Sequence, residues 1–139
     1  MKNFVRVLSL ALLIALLAVS LISCGGPAKD PDDAKDALED AGYEVEMQDG
    51  DLLKGFAELA GIDGLVAMVE AAHEDDEEGI VIFYFEESKD AKEAFESDYM
   101  QDMIEELEEE AEDEDMDVVI KQSGKMIWFG TKQAVKDAK

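Results

Sequence analysis

Ile80-Val81-Ile82-Phe83-Tyr84-Phe85 is the stretch on which the reading of the fold turns. Every residue in it is β-branched or aromatic, the composition that strands favour. An unbroken run of this kind makes it the central-strand candidate of the chain. Upstream, Leu65 to His73 is also nearly all apolar, and periodicity alone does not separate a buried strand from a buried helix there. A short polar break, Glu74 to Gly79, leads from it directly into Ile80, so strand is the simpler assignment and a hairpin the simplest connection.

Further upstream, Leu52, Leu53, Phe56, Leu59 and Ala60 follow helical spacing with Gly61 beyond them, although Gly55 weakens that helix in its middle. Tyr43 to Gln48 alternates apolar with polar and reads as a half-buried strand, ended by a turn at Asp49-Gly50. Asp30 suits the cap of a first helix, Pro31 its first position and Gly42 its stop. Downstream, Ser88 is expected to cap one long helix. Its apolar stripe runs Ala91, Ala94, Phe95, Tyr99, Met103, Leu107 and Ala111, with Met103 as core and Met100 as its flank. Met116 to Gln122 and Lys125 to Gly130 read as strands joined by Ser123-Gly124. Thr131 caps a final helix carrying Ala134, Val135 and Ala138.

The element order is α-β-α-β-β-α-β-β-α, and its middle, Tyr43 to Gln122, is the βαββαβ order of the ferredoxin-like split βαβ. The expected class is α+β: a two-layer sandwich, with a mostly antiparallel sheet of four or five strands and helices on one face.

The start of the chain is of another kind. Lys2 and Arg6 precede 16 apolar or small residues, Val7 to Ile22, too short for the roughly 20 that span a bilayer as a helix. A basic start and a short apolar stretch are the pattern of a secretory signal. Leu21-Ile22-Ser23-Cys24, followed by Gly25-Gly26, resembles the lipobox of bacterial lipoproteins. That resemblance covers residues 1–26 only. It implies removal of residues 1–23, a diacylglycerol on the sulfur of Cys24, and attachment to the cell membrane on its extracytoplasmic face. A second acyl chain makes such an anchor stable where a single chain is marginal. Residues 24–29 are then a lipidated tether and 30–139 a single acidic domain. The tether would hold that domain within roughly 20 Å of the membrane at about 3.5 Å per residue.

Past residue 23 the chain carries 36 acids, ten lysines and no arginine, a formal charge of −26. Nucleic acid is excluded as a partner, because binding it depends on cations that neutralise phosphates. Cys24 is the only cysteine, so no disulfide staples the domain, and its stability must come from packing.

The usual catalytic constellations are missing. His73 is the only histidine, which leaves no His pair for a metal and no Cys–His dyad. No serine lies in a nucleophile-elbow sequence and no Gly-rich phosphate loop follows a strand. Asp113, Asp115 and Asp117 have the first, third and fifth spacing of a calcium loop. Val118 and Gly124, however, stand where that loop needs its glycine and its bidentate glutamate. The expectation is a chain without cofactor or catalysis, a membrane-anchored binding or structural module that serves an envelope protein complex. The alternative is capture of calcium or magnesium by acidic clusters, Glu74, Asp75 and Asp76 in one and Asp113, Asp115 and Asp117 in the other.

Overall fold

A computed structural model describes residues 26–73, 77–114 and 117–139. In chain order the elements are α1 (Pro31–Asp40), β1 (Glu44–Asp49), α2 (Gly50–Ala60), β2 (Leu65–Ala72), β3 (Gly79–Phe85), α3 (Ser88–Phe95), α4 (Asp98–Glu114), β4 (Val118–Ser123), β5 (Met126–Thr131) and α5 (Lys132–Asp137). The class is α+β, and the five strands form one open sheet of order β1-β2-β3-β5-β4. Each neighbouring pair is antiparallel.

β3 sits in the middle, as its composition requires. Ile82 pairs with Val69 of β2 on one side and with Trp128 of β5 on the other. Leu65–Ala72 is a strand and forms the expected hairpin with β3, their ends closed by the His73 amide donating to the Glu78 carbonyl at 2.9 Å. β1 and β2, joined through α2, are hydrogen-bonded neighbours. A split βαβ unit would have placed a strand between them, so the strands follow one another along the chain as expected but their order in the sheet differs.

The expectation of helices on one face is corrected. β3 and β5 are buried at every residue, so both faces of the sheet centre need cover, and helices supply it on both. Ile80, Ile82, Tyr84, Met126 and Trp128 point to one side, where α1 and α5 contribute Ala34, Leu38, Ala134 and Val135. Val81, Phe83, Phe85, Ile127 and Phe129 point to the other, where α2, α3 and α4 contribute Ala57, Ala91, Ala94, Met100 and Ile104. Two cores back onto one sheet in three layers.

The local signals hold in most places. Asp30 accepts from the Asp32 amide at 2.9 Å at the start of α1. Thr131 accepts from the Ala134 amide at 3.3 Å at the start of α5. Asp49, expected in a turn, instead caps α2 directly by accepting from the Leu52 amide at 3.2 Å. The β4–β5 turn lies one residue later than expected, at Gly124-Lys125. Gly124 has φ +56°, the backbone that glycine adopts without steric cost in two-residue hairpins.

The largest local difference is the long helix, which is two. Ser88 is the first residue of α3 and the cap position is Glu87, which makes no side-chain cap bond. The capping serine is Ser97. Its hydroxyl donates to the Ala94 carbonyl at 2.6 Å and accepts from the Met100 amide at 3.3 Å, closing α3 and opening α4 together. The break shifts the helical phase. Met100 becomes fully buried and Ile104 joins it, while Tyr99 turns outward to 41% exposure. Of the pair, Met100 is in the core and Met103 is its partly buried flank.

Candidate functional site

Residues 26–28 are seated on the α1–α5 side of the sheet. Gly26 lies against the six-membered ring of Trp128, so close that a Cβ there would meet the ring at 2.8 Å. Pro27 is buried. The Ala28 amide donates to the Ala138 carbonyl at 2.8 Å, and the Tyr84 hydroxyl donates to the Ala28 carbonyl at 2.9 Å. Burial, with the charges of Asp30 and Asp33 nearby, pushes the Tyr84 phenol well above its ordinary range, so it remains a donor at any physiological pH. The expected tether is thus partly absorbed into the body, from Gly26, the first described residue and two after Cys24. Cys24 itself lies outside the described residues.

The opposite side carries a bare apolar stripe. On α2, Leu53 and Ala57 face the core, but Leu52, Phe56 and Leu59 remain exposed, at 74%, 39% and 93%. Their spacing puts them on one helical face, continuous with the buried one. Phe56 meets Tyr99 of α4 edge to face, ring centroids 5.8 Å apart, which extends the stripe across two helices. Beside it, between α2 and the loop into β2, lies an open hollow of about 540 Å³ lined by Asp49, Asp51, Lys54, Glu58 and Asp63 among others.

Acids placed by sequence are only partly within view. Glu74, Asp75, Asp76 and Asp115 lie outside the described residues. Asp113 is exposed near the end of α4. Asp117 makes an ion pair with Lys132 at 3.1 Å, which competes with any cation it would bind. Among the described residues no three His, Cys, Asp or Glu side chains converge in a way that could hold a metal ion. His73 packs edge to face on Tyr43, centroids 5.2 Å apart.

Two acids are electrostatically strained. Glu70 on β2 stands directly opposite Glu46 on β1; burial first, and that neighbouring charge second, raise its pKa. Glu108 on α4 is raised by burial, then by Glu105 and Glu112 one turn away on either side, and its Oε1 is buried with no partner among the described residues.

Sequence reasoning missed the α2 stripe because Leu52, Phe56 and Leu59 match core spacing as well as Leu53 and Ala57 do. The one available signal was the count: six apolar residues on a helix of eleven wrap more than one face.

No protein-family model matches the chain, and neither a curated protein nor a solved structure is significantly similar to it. Among the described residues no helix is long and apolar enough to cross a membrane.

Proposed function

We propose that the chain is a small lipoprotein of the cell envelope, anchored on the extracytoplasmic face of the membrane through Cys24 and acting as a non-catalytic binding or structural module. The observation that carries this reading is Leu21-Ile22-Ser23-Cys24 at the end of a short apolar run. The seat of residues 26–28 gives that reading an orientation. Two residues span at most about 7 Å, so acyl chains on Cys24 hold the α1–α5 side of the sheet against the bilayer. The α2–α4 side then faces away, toward other envelope components.

Metabolic labelling of the full-length chain in a bacterial host with a clickable palmitate tests the anchor. The wild type is expected to label and to fractionate with membranes, and the Cys24→Ala variant to do neither. An unlabelled wild type, or equal release of both forms from membranes, would overturn the reading.

A further inference from the structure

We infer that the exposed stripe on α2 and Tyr99 is a docking surface for a cationic amphipathic segment of a partner protein. The inference deepens the reading of the chain as a binding module and rests on it. Leu52, Gly55, Phe56 and Leu59 follow i, i+3, i+4, i+7 spacing, the period of a single helical face. Gly55 is the unexplained member of that face. A helix-interior glycine costs about 1 kcal/mol relative to alanine, and a Cβ on Gly55 would meet nothing within 4 Å. The fold itself therefore gives no reason for it. Between Leu52 and Leu59 it leaves a notch in which another backbone can approach closely.

The rim of the stripe selects the occupant. Asp51 and Glu58 are exposed on the polar flank of α2, with Lys54 the one cation behind them on that flank. Asp102 and Glu106, exposed on α4, lie three and seven residues after Tyr99 and so share its face. An apolar strip between acidic borders is complementary to a segment with one apolar face and lysine or arginine on its flanks. A second copy of this chain would bring the same acids against these, a like-charge juxtaposition. The stripe also lies on the side of the sheet opposite Gly26, turned away from the anchoring bilayer.

The test uses the full-length chain in phosphatidylcholine nanodiscs and, as probe, a synthetic amphipathic helix of leucine and lysine. Saturable one-to-one binding, weakened by salt, is expected, and a leucine–glutamate helix of the same pattern is expected not to bind. Leu52→Glu with Leu59→Glu, both at exposed positions, should weaken binding by about tenfold or more. Gly55→Gln should also weaken it by filling the notch. Glutamine is a better helix former than glycine, so that loss cannot be laid to unfolding. Equal binding by wild type and the double variant would reduce the effect to diffuse charge and overturn the inference. So would dimerisation of the chain through the stripe, or insertion of the stripe into the disc lipid. Lipid labelling and peptide binding fail independently, since the stripe lies on the side of the sheet opposite Gly26.

Discussion

The two sides of the sheet are finished differently. Toward α1 and α5 the surface is sealed except at Met47 on the edge strand, 38% exposed: Leu38, Ile80, Ile82 and Trp128 are almost wholly buried, and Tyr43 donates to Asp137 at 2.9 Å across the seam. Toward α2 and α4 an equally well buried core of Val118, Ile127 and Phe129 is overlaid by helices whose outer apolar residues stay bare. Stability alone rewards sealing both sides, at roughly 25 cal/mol for each Å² of apolar surface removed from water. The contrast is between a side closed over its core and a side that leaves apolar helix surface bare.

The sharpest way to break that comparison is one substitution made on each side. Leu38→Ala is expected to cost about 2–5 kcal/mol, the range for a fully buried leucine that leaves a cavity. Leu59→Ala, at 93% exposure, should stay within about 0.5 kcal/mol. Urea denaturation of both variants measures the difference, and similar losses would mean that Leu59 is covered in solution. A smaller effect of opposite sign is expected from Gly55→Ala, which should stabilise the fold by up to about 1 kcal/mol in the same assay. No gain there would place the backbone at Gly55 outside regular helix.

The smallest effect is electrostatic. Glu70 and Glu108 hold their protons more tightly in the folded chain than in the unfolded one, because burial and neighbouring acids raise both. A raised carboxylate binds more protons folded than unfolded in the window between its two pKa values. Stability therefore falls as pH rises through the folded pKa and is recovered as pH drops toward the ordinary carboxylate range. Thermal melts followed by circular dichroism should show a rise in Tm between pH 7 and about 5. Glu108→Gln should raise the Tm at neutral pH and flatten that rise. A Tm that drops steadily over the same interval would show that other groups dominate.

Much of the fold was legible because its signals are local. Asp30, Gly42 and Thr131 mark helix ends through bonds to residues two or three away, Pro31 does so through its fixed φ, and no distant partner changes them. β3 announces itself by composition. The split between α3 and α4 was hidden because Ser97 reads as an ordinary polar residue within a helix, and only its two bonds, to Ala94 and from Met100, make it a boundary. Cys24 is an expectation from a motif outside the described residues, and within them the stripe on α2 was not legible. Leu53 and Leu52 are neighbours in sequence and identical in chemistry, yet one is 4% exposed and the other 74%.

By itself the sequence determined the class, the hairpins, the central strand and the acidic character, all of which follow from residue type and short-range spacing. The tertiary structure alone decided the strand order, the cover on both faces, the seat of residues 26–28 and which apolar residues remain bare. Each of these depends on which surfaces meet across long stretches of chain, and a one-dimensional pattern carries the preference to be buried without naming what does the burying.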